Sequence, residues 1–196
     1  MSTVLDPVWA AAEQYQTDAA VPERYPTPGA LAKDLDPTTV QTPALDLIDA
    51  ALVDVAEGRC TRLMISMPPQ EGKSTRVSRR FPLWMLHRRP HLRIAIVSYG
   101  HDLARRWGQA IRDDIGQYGD RLGLSVNPRS SAAHDWQLAG QRGSVYCVGV
   151  KGGLTGRPAD LLIIDDPYRD GEQADSEAWR ETVQGWWTEV ALPRLG

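Results

Sequence analysis

Lys73 stands between Gly72 and the hydroxyls of Ser74 and Thr75, inside the stretch "RLMISMPPQEGKSTRVSRR" from Arg62 to Arg80. Those residue types in that order can bind phosphate. A glycine lets the backbone N–H groups approach an anion, the lysine adds a point charge, and a hydroxyl suits a divalent cation. Compared with the usual Gly-x4-Gly-Lys-Ser/Thr pattern, the first glycine is replaced by Met67, followed by Pro68 and Pro69. Prolines donate no N–H, so the amides of Gln70, Glu71, Gly72, Lys73, Ser74 and Thr75 are left to face the phosphates. In this reading Lys73 sits between the β- and γ-phosphates and Ser74 is a magnesium ligand. The alternative is a strand-to-helix turn with a solvated lysine.

A second pair of residues fits the same chemistry. "LLIIDDP" ends a continuous apolar run in Asp165 and Asp166. A magnesium nucleotide site needs carboxylates at the carboxyl end of a neighbouring strand. Asp165 would hold the metal through its water shell, and Asp166 would orient or deprotonate the attacking water. An ordinary capped turn is the other reading. Together the two motifs, each at the end of a predicted parallel strand, point to nucleotide binding.

The elements that must position these residues can be read from periodicity. Thr42 as cap, Pro43 at the first helical position, and Leu45, Ile48, Leu52 and Val55 predict a helix that stops at Gly58. A strand is expected over Arg62–Met67, then a helix from Gly72 to about His87 that Pro82 should kink or split. "LRIAIVSY" reads as a buried strand, and a helix capped by His101 or Asp102 follows, to about Gly119. "HDWQLAG" and "GSVYCVGV" predict a strand pair around a glycine-containing turn, "ADLLIIDD" a further strand, and Asp175 to about Val190 a last helix. The alternation predicts an α/β fold with a mostly parallel sheet covered on both faces. Residues 1–40, with one short helix near Pro7 to Ala19, read as an arm or cover, and the packed domain as 41–196.

Composition narrows the class. Of 196 residues, 42% are apolar and 24% charged, which is ordinary for a globular domain, and the net charge of −3 argues against a surface that wraps nucleic acid throughout. No apolar run approaches the ~18 residues of a spanning helix, and the N-terminus lacks a signal-peptide pattern, so neither membrane insertion nor secretion is expected. Cys60 and Cys147 support no disulfide framework or zinc site and read as small buried thiols in a reducing compartment. Six of the seven tryptophans, Trp84, Trp107, Trp136, Trp179, Trp186 and Trp187, read as core or interface anchors rather than base-stacking platforms. Ser98, His101 and Asp102 read as a capped turn rather than a nucleophile constellation. The basic window from Arg79 to Arg93 is either a solvated helix face or a contact to phosphates or a neighbouring subunit.

Four segments in order, "RLMISMPPQEGKST", "LRIAIVSYGHDLARRWGQAIRD", "VGVKGGLTGRPADLLIIDDP" and "ADSEAWRETVQGWWTEVALPRL", resemble the ATPase domain of the large subunit of tailed-phage terminases, from about Thr42 to Leu195. The resemblance implies a P-loop NTPase of the ASCE, RecA-like type that uses ATP and Mg2+ to drive double-stranded DNA into a procapsid. The expected partners are the portal protein, the terminase small subunit and further copies in a ring, in the cytoplasm of the infected bacterial host. Gly72, Lys73, Ser74 and Thr75 match the phosphate loop and Asp165 the metal carboxylate. Asp166 stands where many relatives have a catalytic glutamate; it is one methylene shorter, and Glu172 is the alternative base. Arg157, in "GGLTGRPAD", matches an arginine that reaches a neighbouring subunit's nucleotide, with a solvated loop arginine as the alternative. Where many relatives have an arginine within the phosphate loop, this chain has Gln70 and Glu71. Gln41 lies near an adenine-reading position, although a plain surface residue fits it better. The resemblance also implies a strand between the two catalytic strands and a nuclease domain. The sequence stops at Gly196 before either, so a sheet truncated before its last core strands is expected, with unpaired edges facing each other across a gap. Two other readings stay open: a helicase-like translocase or other P-loop enzyme, and a non-catalytic prophage remnant that binds nucleotide.

Overall fold

Two helices begin with the same Thr-Pro signature in the computed structural model, which describes residues 24–154 and 156–195. Thr27 Oγ1 accepts the Ala30 N–H at 3.0 Å ahead of α1 (Pro28–Leu35), and Thr42 Oγ1 accepts the Leu45 N–H at 3.3 Å ahead of α2 (Pro43–Ala56). In both, a proline takes the first helical position, where its missing N–H costs nothing. Helix α2 is the one expected. Helix α1 falls within the segment read as an arm, yet it buries Leu31 and Leu35 in the main core. The helix expected near Pro7 to Ala19 lies outside the described residues.

Lys73 opens a helical stretch that passes through a π-helical segment, Thr75–Arg80, into α3 (Phe81–Arg88). Pro82 explains the change of winding. It has no N–H to return to Ser78, and the Phe81 N–H reaches back to the Arg76 carbonyl, five residues away.

Five strands form one open sheet: β1 (Arg93–Ser98), β2 (Val126–Ala132), β3 (Asp135–Leu138), β4 (Ser144–Gly149) and β5 (Leu161–Ile164), in the order β2-β3-β4-β1-β5. The 22-residue α4 (His101–Leu122) lies between β1 and β2. Strand β1 pairs in parallel with both β4 and β5. The sheet is nevertheless mixed, against the expectation of a mostly parallel one, because β2–β3 and β3–β4 pair antiparallel. Only a few residues, Ala139–Gly143, join β3 to β4, too few for the crossover a parallel pair needs, and Gly140 turns there at φ 69°. Strand β2 falls where the sequence predicts no strand.

Alternation along β1 sorts its side chains between two cores. Ile94 and Ile96 join a large cluster under α1–α4, while Ala95 and Val97 join a smaller one with Val148, Val150, Leu154 and Trp186. Trp84 and Trp136 are fully buried, and each indole N–H finds a carbonyl, Tyr25 O at 2.8 Å and Gly108 O at 3.0 Å. Gly108 lets α4 lie against the sheet: a Cβ there would meet Cys147 Sγ at 2.5 Å and the Ala133 carbonyl oxygen at 2.6 Å. After β5 come α5 (Gly171–Asp175), α6 (Glu177–Trp186), a π-helical turn Trp187–Ala191 and a 3-10 turn Leu192–Arg194. They cover the second face, so helices lie on both sides as expected.

The strand expected over Arg62–Met67 is not one of the five. Leu63 and Met64 are exposed, and that segment faces β5 across a groove of about 770 Å³ also lined by Trp187 and Leu195. Among the described residues β5 has only β1 as a partner strand. Beyond its start a single parallel bridge joins Ala159 to Leu195, with Ala159 N–H donating to Arg194 O at 2.9 Å.

Candidate functional site

The loop ahead of Lys73 takes its shape from two left-handed residues. Gln70 has φ 66° and Gly72 φ 85°, so alternate residues turn the chain in opposite senses, the geometry that gathers successive N–H groups into an anion-binding concavity. A side chain at Gly72 would be strained by that φ, and Leu45 of α2 already lies 3.6 Å from where its Cβ would be. The Gly72 carbonyl accepts the Arg76 N–H at 3.0 Å, tying the loop into the helix that starts with Lys73. Gln70, Glu71 and Thr75 are exposed.

Strand β5 brings the two carboxylates to this helix. Lys73 Nζ donates to Asp166 Oδ1 at 3.0 Å, and Ser74 Oγ donates to Asp165 Oδ1 at 2.9 Å, across 93 and 91 residues of sequence. Asp165 is 4% exposed and donates its N–H to Val97 O of β1 at 2.8 Å. Burial pushes its carboxyl above the usual carboxylate range, and the Ser74 bond opposes this only in part. Its other oxygen, Oδ2, is buried without a hydrogen bond of good geometry, although Ser78 Oγ, one helical turn beyond Ser74, lies near enough to favour the ionised carboxylate weakly; Ser98 Oγ at the end of β1 is likewise buried without a partner. An orphaned carboxylate oxygen beside a serine hydroxyl is a donor set that suits a hard divalent cation, which would return the missing interaction and favour the ionised form. Among the described residues no group of three or more His, Cys, Asp or Glu could hold a metal, so such an ion would rely on Ser74, Asp165, water and its ligand.

Asp166 is half exposed and has a positive φ of 48°, rare for a residue with a side chain. Its carbonyl accepts the Tyr99 N–H at 2.9 Å, and the next carbonyl, Pro167 O, accepts the Trp179 indole N–H at 3.1 Å. Glu172 is exposed in the first turn of α5 and takes no part in the Lys73–Asp166 ion pair.

Arg157 is not brought to this cluster within the chain. Its guanidinium pairs with Asp135 of β3 at 2.8 Å and lies 4.1 Å from the centre of the Tyr146 ring of β4. The Asp135 hydrogen bond raises its pKa above the ordinary guanidinium value. Gln41 is also engaged. Its amide donates to Asp46 and Asp49, each at 2.9 Å, and its oxygen accepts from Arg76 at 2.8 Å, so it links α2 to the helix that starts with Lys73 rather than standing free.

Much of the basic window from Arg79 to Arg93 is engaged within the chain, although Arg89 and His91 are exposed. Arg79 and Arg80 share buried Asp114, Arg93 binds Asp160 at 2.6 Å, the His87 ring meets Leu122 O at 2.8 Å, and Arg88 lies 4.5 Å from the centre of the Trp84 ring. Ser98, His101 and Asp102 do not form a nucleophile constellation: Ser98 ends β1 buried, and α4 starts after Gly100 without a side-chain cap. Cys147 is buried, while Cys60 is only partly so.

Sequence reading missed the link from α2 to the phosphate loop and the grip of Trp179 on the Asp166 turn. Arg76, immediately after the Lys-Ser-Thr run, was the available signal for the first. The second carries no sequence signal, since a tryptophan on an amphipathic helix looks like a core anchor.

Comparison with known families gives a match over much of the chain. The model of the terminase large subunit, T4likevirus-type, N-terminal, covers residues 64–192, about two thirds of the chain, and includes Lys73, Ser74, Arg157, Asp165 and Asp166 but not Gln41. No characterised protein matches the sequence. Among the described residues no helix is long and apolar enough to cross a membrane.

Proposed function

The chain belongs to the terminase large subunit N-terminal family, and on that premise we propose that it is an ATPase portion of a phage DNA-packaging motor, with its ATP site at the Lys73–Asp166 and Ser74–Asp165 contacts. The observation that carries this reading is the convergence of those two pairs over one anion-shaped loop, with Asp165 Oδ2 buried and unpartnered beside them. Terminase large subunits are in general ATPases, and the family serves phage DNA packaging. The fold is read as an ASCE-type P-loop NTPase. In support, β5 lies beside β1 with its carboxylates at the carboxyl end, and a groove separates it from the segment leading to the phosphate loop.

In the proposed mechanism the N–H groups from Gln70 to Thr75 cradle the β- and γ-phosphates. Lys73 leaves Asp166 for the incoming phosphate oxygens, which carry more charge than one carboxylate. Magnesium, held by Ser74 and Asp165 when bound, would neutralise charge on the β- and γ-phosphate oxygens. Freed of its lysine, Asp166 accepts a proton from water as the water oxygen bonds to the γ-phosphorus and the bond to the bridging oxygen breaks, leaving ADP and inorganic phosphate. Arg157 reaches a neighbouring subunit's nucleotide only if it gives up Asp135 and Tyr146. The proposed partners are double-stranded DNA, the portal protein, the small subunit and further copies in a ring, in the cytoplasm of the infected bacterium.

The test pairs nucleotide binding with phosphate release. Lys73→Ala should weaken Mg2+-ATP binding by about tenfold or more, as expected for losing a charge-assisted phosphate contact. Asp166→Asn should bind as the wild type does but lose turnover by about a hundredfold. Equal affinity of Lys73→Ala and wild type for Mg2+-ATP would overturn the reading.

A further inference from the structure

We propose that Trp179 is a positioning residue for Asp166, its indole N–H clamping the Asp166–Pro167 turn so that the carboxylate stays opposite Lys73. The proposal rests on Asp166 being the base assigned above. The need for a clamp comes from the backbone. Asp166 has φ 48°, in the left-handed region that few non-glycine residues occupy, although aspartate enters it more readily than most, and the rigid ring of Pro167 follows it. Such a conformation persists when its surroundings over-determine it.

Two hydrogen bonds bracket the turn. On one side the Tyr99 N–H donates to the Asp166 carbonyl at 2.9 Å, a backbone contact that any residue at position 99 other than proline could make. On the other the Trp179 indole N–H donates to the Pro167 carbonyl at 3.1 Å, a contact that needs a long, rigid side chain with a donor at its tip. Trp179 differs from the other tryptophans of its segment. Trp186 and Trp187 belong to the apolar cluster on the second face of the sheet, whereas Trp179 does not. Both of its polar opportunities are used instead: its N–H holds Pro167, and the Lys151 ammonium sits 4.8 Å from the ring centre. Its own place is set at the start of α6, where Ser176 Oγ accepts the Trp179 backbone N–H at 3.4 Å. The chain thus holds its proposed base from the residue after β1 on one side and from α6 on the other.

Trp179→Phe keeps an aromatic ring for Lys151 and removes the N–H donor together with part of the indole's bulk. Two measurements on this polypeptide decide the matter. Amide hydrogen exchange at Tyr99 reports the other half of the bracket whether or not nucleotide binds, and should become about tenfold faster when the turn loosens. Steady-state turnover with Mg2+ and ATP should lose about tenfold or more in kcat at unchanged KM, since a displaced base affects the chemical step and not the phosphate cradle. A purely structural tryptophan would lower the melting temperature without that split. Unchanged exchange at Tyr99, or faster exchange with unchanged kcat, overturns the proposal, and a wild-type rate below detection counts against it. Failure of the functional reading itself is recognised separately, because Lys73→Ala would then leave nucleotide binding as it was.

Discussion

Removing the Arg76 guanidinium should destabilise the protein far more than removing a surface cation. Arg76 and Asp49 are each about 3% exposed, and their ion pair is buried between α2 and the phosphate-loop helix. Asp49 also accepts the Gly29 N–H at 3.1 Å and the Gln41 amide at 2.9 Å. In Arg76→Ala the carboxylate would keep those two neutral donors and lose its counter-charge, which in a buried pair costs about 3–5 kcal/mol. With a urea m-value of about 2 kcal/mol/M, the midpoint should fall by roughly 1.5–2.5 M. Asp49→Asn should cost a similar amount, leaving the guanidinium with the Gln41 oxygen at 2.8 Å. The double variant Asp49→Asn/Arg76→Ala leaves no charge buried at this pair and should cost clearly less than the sum of the two single losses. Urea unfolding of the four proteins, followed by tryptophan fluorescence, measures the cycle. A loss below about 1 kcal/mol in Arg76→Ala, or simple additivity in the double variant, would refute the picture of a desolvated, mutually dependent pair.

Two other outcomes are expected. Asp160 is held below the usual carboxylate range, chiefly by its hydrogen bond from Arg93, so the pair contributes stability above the unfolded carboxylate pKa of about 4 and loses it as pH falls through the depressed folded value. Asp160→Asn should therefore lower stability near neutral pH by up to about 1 kcal/mol, the range for a partly exposed pair, and thermal melts against pH should see the difference close in acid. Cys147 is pushed up to about 12 by burial, so iodoacetamide at mild alkaline pH should label Cys60 and spare Cys147 until the protein is unfolded, as peptide mass spectrometry would show.

What the sequence revealed and what it hid follow from the range of the interactions. Helix α2 was legible because its cap, its first-turn proline and its apolar spacing are all local, and β1 because a strand buried on both faces is apolar throughout; β5 shows an apolar run too, although it lies at the sheet edge with Ile164 exposed. The same local signature, Thr27 before Pro28, announced α1 and was passed over in a segment taken for an arm. Strand β2 was hidden for a physical reason: it lies at the sheet edge, is largely exposed and contains Pro128, so it carries neither an apolar run nor alternation. Arg62–Met67 failed the other way. It has strand composition, but a strand exists only by pairing, and the groove beside β5 leaves this segment unpaired. At the candidate site, the order of Lys73-Ser74 and Asp165-Asp166 was readable, and the contacts between them agree with it. The seat of Arg157 on Asp135 and Tyr146 was not, because nothing in a linear chain announces which strand a loop arginine will lie against.

The position of β1 in the sheet also bears on synthesis. Its parallel partners β4 and β5 follow it by some 50 and 70 residues, and Lys73 waits 93 residues for Asp166. At about 5–20 residues per second, a ribosome making this chain needs roughly 5–20 s after Lys73 before Asp166 is even joined to the chain. During that interval Ile94, Ile96 and Val97 can emerge with no strand to cover them. The nascent chain therefore passes through a stage in which Lys73 exists without the carboxylates it meets in the fold, and in which its most buried strand is bare to chaperones and to neighbouring nascent chains.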